Sequence, residues 1–342
     1  MKKLFATLLS CLLLAGCVNP ALPQTQTGKK YTATFLDVFD TVTTIVGYDE
    51  SKAAFEEKTQ AIHDQLLIYH RLFDIYNTYE GITNLKSVND AAGGEPVQVD
   101  KAVIALLRDC KEYYTLSGGK VNVAMGSVLR LWHEAREDAF DDPAKAYLPD
   151  NAALREAYQH TDLQNVVLDE EASTVQITDP QLRLDVGAVA KGWAVQRIAE
   201  KAPSGLLISV GGNVCPTGAK DESGTPWVVG ITDPDGGDYL HTVETADCSV
   251  VTSGDYQRYF VVDGKMYHHI IDPDTLLPGT KWRSVTVVCA DSGLADALST
   301  ALFLLDYEQG AALVQKYGAE AFWIDQENNR YYSPGFEDLI RT

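Results

Sequence analysis

Residues 32–48, TATFLDVFDTVTTIVGY, alternate apolar and β-branched positions with polar ones, the period of a strand pair or of one bent strand. The period then lengthens: Phe55, Ile62, Leu66, Tyr69 and Phe73 recur at helical spacing and predict a helix from about Ser51 to His70. GGEPVQVD reads as a turn and a short strand, and a second helix over about 101–116 presents Val103, Leu106, Leu107, Cys110 and Tyr114. Further helices are expected over Val128 to Arg136 and Asn151 to Tyr158. From 164 the texture turns to β. NVVLDEEASTVQIT reads as a hairpin, LRLDVGAVAKGWAVQRIAEK as strand, tight turn and helix, and GLLISVGG and WVVGITDP as strands. RYFVVDGKMYHHII carries Asp263-Gly264 at its tip, a strong hairpin signal. SVTVVCA is a further strand, followed by a helix over 292–305. These elements predict an α+β fold: one domain over 31–342, mixed or antiparallel sheets flanked by helices, and a helical excursion near 100–160.

The N-terminus has a pattern of its own. In MKKLFATLLSCLLLAGC, two lysines precede an apolar run from Leu4 to Leu14 that is too short for a stable transmembrane anchor. Small residues directly before Cys17 mark residues 1–17 as a bacterial lipoprotein signal with Cys17 lipidated; an ordinary secretory signal is the alternative. Residues 18–30 are polar and Pro-containing, as a tether would be. The expected location is extracytoplasmic, held at the membrane by lipid. The formal net charge of −20 argues against a nucleic-acid binder and means that a phosphate ligand needs a cation or a local basic group. Cys110, Cys215, Cys248 and Cys289 lie far apart with no metal-ligand spacing; they read as buried thiols, or as holding at most one disulfide.

Three stretches carry candidate chemistry. In DSGLADALSTALFLL (291–305), helical steps put Asp296, Ser299 and Thr300 on one face, where oxygen donors could hold a hard cation such as Mg²⁺. The same face could equally be the solvated side of an amphipathic helix. In LDVGAVAKGWAV (184–195), an acid, a turn and a helix start bring free N–H groups and Lys191 together, which suits an anion or simply a strand-to-helix turn. In YHHIIDPDTLLPG (267–279), strand geometry sends His268 and His269 to opposite faces, so at most one of them lines a pocket.

Taken in order, LDVGAVAKGWAV, ISVGGNV, WVVGITDP, VVTSGDYQRYFVVDGKMYHHIIDP and ADALSTALF form a pattern. The chain resembles the bacterial FAD:protein FMN transferases, the ApbE type, an extracytoplasmic lipoprotein family once assigned to thiamine biosynthesis. The likeness is dense from about 183 to 305 and thin before 130. It implies a Mg²⁺ site made of the Ala188 carbonyl, Asp296 and Thr300, with Ser299 adjacent. It implies flavin contacts at Asp185, Lys191 and Ile270, and more loosely at Phe39, Tyr76, Lys120, Val121 and Asn122. The family histidine matches His269. Departures are local. Glu80-Gly81 stands where the family has Ser-Glu, Asn89 is displaced by three, and Asn122 and Ala124 replace Asp and Thr. DPDTLLPG lacks the usual glycine after its threonine.

The resemblance implies transfer of the FMN moiety of FAD to a threonine hydroxyl of an acceptor flavoprotein, with release of AMP. The acceptor would be an extracytoplasmic segment of a membrane redox complex or a secreted flavoprotein. His269 is the candidate base, since an imidazole suits that task near neutrality. A Mg²⁺-dependent FAD pyrophosphatase would use the same residues. A non-catalytic FAD-binding carrier is the alternative from another class.

Overall fold

The computed structural model describes residues 28–341, so the signal segment, Cys17 and most of the tether lie outside the described residues. The chain runs β1 (Lys29–Val38), β2 (Thr41–Asp49), α1 (Lys52–Phe73), α2 (Leu85–Asp90), β3 (Val97–Gln98), α3 (Lys101–Leu116), α4 (Gly126–Asp141), α5 (Asn151–Tyr158), β4 (Val166–Asp169) and β5 (Thr174–Ile177). It continues α6 (Ala190–Ala199), β6 (Leu206–Val210), β7 (Asn213–Pro216), β8 (Trp227–Thr232), β9 (Tyr239–Thr245), β10 (Ser249–Gly254), β11 (Tyr259–Val262) and β12 (Lys265–His268). It ends β13 (Trp282–Cys289), α7 (Ser292–Leu304), α8 (Tyr307–Lys316), β14 (Glu320–Asp325) and β15 (Arg330–Tyr332).

An eight-stranded sheet in the order β1-β2-β6-β7-β10-β13-β14-β15 forms the spine, with every pairing antiparallel. Period-2 alternation divides its two faces. Ile45, Val251, Val287 and Trp323 point to the helical side, into cores built with α1, α3, α6, α7 and α8. Their chain neighbours Val46, Val250, Val288 and Phe322 point the other way, under the β8–β9 hairpin. A separate cluster joins α4 and α5 to the β11–β12 hairpin through Trp132, Leu154, Phe260 and Leu276, and the Trp132 indole N–H donates to Leu276 O at 3.0 Å. This is the expected α+β body with its helical excursion.

Several tight turns are left-handed, among them two closed by residues other than glycine pairs. Phe39 and Asp40 (φ 54° and 50°) close β1 onto β2, while Asp263 and Gly264 (φ 50° and 76°) close β11 onto β12. Positive φ at both central residues is what a two-residue hairpin needs to follow the strand twist.

Several expectations need correction. The segment Leu182–Val186 is not a strand: it makes one isolated bridge, Met125 to Arg183, and Asp185 N–H donates to Val123 O at 2.8 Å. Its alternating burial is real, but the neighbour that satisfies Leu184 is a side chain. Asn89 Oδ1 accepts the Leu184 N–H at 2.7 Å, and Asn89 Nδ2 donates to Leu184 O at 3.0 Å. The helix expected to stop at Arg136 runs on to Asp141, and the six-residue α2, capped by Asn84, has no counterpart in the expected elements. The tether is shorter than supposed, because Lys29 and Lys30 already pair with Asp49 and Tyr48 in β1. Nor is α7 amphipathic: Asp296 is 5% exposed and Ser299 is 0%, so the solvated-face reading fails. The four body cysteines are free thiols. No helix among the described residues is long and apolar enough to cross a membrane.

Candidate functional site

The site begins where α6 meets α7. Gly187 N–H donates to Asp185 Oδ1 at 2.8 Å, which turns the chain into α6, and Lys191 Nζ folds back on Gly187 O at 3.2 Å. Gly192, the next residue, sits so close to α7 that a Cβ there would lie 2.3 Å from Ser292 O and 2.5 Å from Asp296 Cβ. Glycine is the residue that permits this approach. Because the helices touch, the Gly192 N–H donates to Asp296 Oδ2 at 2.8 Å, and Asn213 Nδ2 from β7 reaches the same oxygen at 3.3 Å. Burial raises the Asp296 carboxyl, while Lys191, the Gly192 N–H and Asn213 pull it back down.

Both protein donors land on Oδ2, which leaves Oδ1 as the oxygen for a cation. Asn213 Oδ1, beside it, is sealed from solvent with no partner. Thr300, one turn further along α7, is half-buried, and Ala188 lies in the turn before Lys191. One carboxylate, one hydroxyl and one carbonyl would make a hard-oxygen set of the kind Mg²⁺ takes, with its remaining positions left to water or phosphate. No group of three His, Cys, Asp or Glu suited to a metal occurs among the described residues. The adjacent Ser299 hydroxyl already has partners. It donates to Asp296 O at 2.9 Å and meets Ser253 Oγ at 2.8 Å, bracing α7 against β10.

The other end of the site gathers around Asp185. Asp74 anchors the loop after α1 by accepting the Tyr76 and Asn77 N–H groups on Oδ1 at 2.6 and 2.9 Å. Tyr76 is held 51% exposed, its ring over His133 of α4 with centroids 5.0 Å apart and planes inclined by 32°. Arg136 Nη2 donates to His133 Nδ1 at 2.7 Å. Burial and the nearby Asp185 raise the Tyr76 phenol well above its ordinary range. Burial also raises Asp185 itself, against the opposing pull of the Gly187 N–H, His133, Arg258 and Arg136.

The two histidines part as strand geometry requires. His268 ends β12 and turns inward: Nε2 meets Gly279 O at 2.7 Å, Nδ1 accepts the Ile270 N–H at 3.2 Å, and the ring stands edge-on to Phe303. His269 follows the strand, its N–H donating to Arg258 O at 3.1 Å. Its Nδ1 is sealed and has no partner. Burial, then Arg258, His268, Lys191 and Arg136, push its pKa down to about 3, so the ring is neutral. Phe39 borders this end: its N–H donates to His70 Nδ1 at 3.1 Å, and Arg258 Nη2 reaches the adjoining Asp40 O at 3.5 Å.

The structure thus brings Tyr76, Asp185, Lys191, His269 and Asp296 into one electrostatic neighbourhood, with Phe39 at its edge. Four other expected contacts have their side chains engaged elsewhere. Lys120 Nζ is shared between Asp272 Oδ1 at 2.7 Å and Asp274 Oδ2 at 2.8 Å. Val121 is 2% exposed, in the main core. Asn122 donates to Thr161 O and accepts from the Ala124 N–H, both at 2.9 Å. Ile270 packs in the β13–α7 core, and its carbonyl receives the Gly279 N–H at 3.0 Å. Sequence reasoning missed Gly192, Asn213, His133, Arg136 and Arg258. Gly192 and Arg258 stood inside quoted motifs, and His133 and Arg136 share a helical face three residues apart.

Comparison with known proteins bears on this geometry. The sequence profile of the ApbE family matches residues 34–323. An FAD:protein FMN transferase of Treponema pallidum is 37% identical over 278 residues, covering 75% of each chain. One from Klebsiella pneumoniae is 32% identical, covering 78% of this chain and 84% of its own. Among solved structures, the ApbE protein of Thermotoga maritima superposes with a TM-score of 0.80 at 28% identity, over 92% of this chain and all of its own (100%). The flavin transferase ApbE of Vibrio cholerae shares the fold with a TM-score of 0.75 at 23% identity, over 91% and 99% of the two chains.

Proposed function

The chain belongs to the ApbE family, and on that premise we propose that it is an FAD:protein FMN transferase. In the proposed reaction a threonine hydroxyl of an acceptor protein attacks the FMN phosphorus of FAD. A new phosphorus–oxygen bond forms, the bridging bond of the pyrophosphate breaks, and AMP leaves. Phosphoryl transfer of this kind needs positioning and charge neutralisation more than covalent catalysis.

The observation that carries the reading is the Asp296 carboxylate, buried between α6 and α7 with its protein donors on one oxygen only. Ala188 O, Asp296 and Thr300 would hold Mg²⁺, which when bound offsets the charge of the pyrophosphate in this acidic protein. Lys191, at the first turn of α6, adds a point charge beside it. Tyr76, backed by His133, offers one open aromatic face to a flat ring such as the flavin. His269 accepts the threonine proton on its ring. The imidazole is neutral in the free protein, and a neighbouring phosphate dianion raises its basicity towards the range a general base needs.

The acceptor is a threonine-bearing flavoprotein, an extracytoplasmic segment of a membrane redox complex or a secreted protein, met by this chain at the membrane surface. Lipidation at Cys17 supplies that location in the proposal.

The test combines the full-length protein with FAD, Mg²⁺ and a threonine-bearing acceptor domain, read by intact mass. A gain of one FMN on the acceptor, lost with EDTA and with Asp296→Ala, is expected. AMP and free FMN without acceptor labelling would replace the transferase by a pyrophosphatase. FAD bound with no product would leave a carrier.

A further inference from the structure

Arg136 lies on α4, in the helical excursion, with no carboxylate on its hydrogen-bonding fork. Its side chain is 17% exposed, and the nearest acid, Glu137, is 57% exposed and stands 3.7 Å from Nη2, beyond hydrogen-bonding range. The contact it does make is to a neutral acceptor, His133 Nδ1. A guanidinium has five N–H donors in a rigid plane, and one of them is matched here. Arg258, close enough to Arg136 to depress its basicity, repeats the situation. It is exposed, it follows β10, and its nearest acceptor is a backbone carbonyl, Asp40 O at 3.5 Å. In a chain of net charge −20, two guanidinium groups without hydrogen-bonded carboxylates in one place are unusual.

Their placement narrows the ligand. Both bear on Asp185, Tyr76 and His269, and the Arg258 carbonyl carries the His269 N–H. An anion held by both would therefore sit beside the histidine and beside the open tyrosine face, where an aromatic ring attached to it could stack. Asp296, the proposed cation site, lies between α6 and α7, on neither of the elements that carry the arginines.

We propose that Arg136 and Arg258 form a metal-independent phosphate receptor that grips the phosphate attached to the flavin ribityl chain, the one that ends on the acceptor. This rests on the flavin-transfer reading and adds a division of labour to it. The flavin-side phosphate is held by planar forks, which match phosphate oxygens in pairs. The cation serves the adenylate side. His133 is the brace that aims Arg136, and it supports the tyrosine platform with the same ring.

The experiment measures FMN and riboflavin binding to the full-length protein by flavin fluorescence in EDTA, so that no metal contributes. The wild-type protein is expected to favour FMN over riboflavin by about 10- to 100-fold, the range of a charge-assisted hydrogen-bond pair. Arg136→Gln and Arg258→Gln each lose most of that preference, while riboflavin affinity stays unchanged; Arg136→Lys recovers part of it. Equal binding of FMN and riboflavin to the wild type overturns the proposal. So does an Arg136→Gln protein that loses both ligands equally, since the arginine would then only shape the platform. Arg258, being exposed, provides a variant with no packing to lose. The acceptor assay separates the two readings. Wild-type transfer with FMN preference intact in both glutamine variants defeats the receptor alone. Absent transfer with the preference present and lost in the variants defeats the transferase and leaves the receptor.

Discussion

At the α6–α7 end of the site, Asp296 is sealed behind two helices that touch through a glycine, and its partners are a backbone N–H and a carboxamide. At the α4–β11 end, Tyr76 is half open and two arginines hold neutral acceptors in place of carboxylates. The first end is satisfied by the protein except for one oxygen set; the second is left short of partners. Burial makes the sealed end precise, since a packed backbone cannot drift, and it suits an ion that demands fixed geometry. The open end has charge and surface to offer a large ligand, and its groups gain partners only when that ligand arrives.

The comparison can be broken most severely at the sealed end. Asp296→Asn keeps the volume and the acceptor for the Gly192 N–H but removes the charge. Transfer is expected to fall by about 10³-fold, the scale of several kcal/mol of lost charge stabilisation, with thermal stability retained. A matching loss of folding would show that the carboxylate is structural.

His269→Gln, at the open end, should lower kcat by about 10²-fold or more and leave the affinity for FAD within a few-fold, as single-turnover kinetics would show. An unchanged kcat at saturating FAD would remove the histidine from the chemistry. Gly192→Ala tests the seal itself. The added Cβ must push Ser292 O away, so a loss of about 1–3 kcal/mol in urea unfolding is expected, with weaker Mg²⁺ dependence and unchanged riboflavin binding.

The smallest effect is in pH. Folding depresses His269 from 6.5 to about 3, so the unfolded chain binds its proton first. The stability tied to the neutral ring is complete above about pH 6.5 and drains away as pH falls from there towards 3. Buried His268 and half-buried His133 shift in the same direction. Wild-type unfolding midpoints should therefore drop between pH 7 and 5, and His269→Gln should drop less steeply.

How far the sequence reveals this molecule depends on the range of the contact. α3 and α5 were legible to the residue, because helix caps and apolar spacing are local. The β11–β12 hairpin was legible for the same reason, since Asp263-Gly264 fixes its turn. Leu182–Val186 misled because burial alternates in any extended segment, and nothing local says that Asn89, 95 residues away, will replace a neighbouring strand. At the site, Asp296, Asp185 and His269 stood in dense motifs. Arg136 stood in the excursion, outside the dense motifs of 183–305, and its unmatched fork is visible only once α4 is placed. Val121, Asn122 and Ile270 sit in core packing or on backbone partners of other elements, which no local pattern announces.

The bonds that assemble the site span long stretches of chain: Gly192 to Asp296 crosses 104 residues, Lys120 to Asp272 crosses 152, and Trp132 to Leu276 crosses 144. A growing polypeptide that has just emerged through residue 250 owns Tyr76, Arg136 and Lys191, yet it lacks α7, the hairpin histidine and the latch for the excursion. Assembly of the site consequently waits for α7, and a copy that ends before it lacks Asp296 and cannot bring the two helices of the sealed end together.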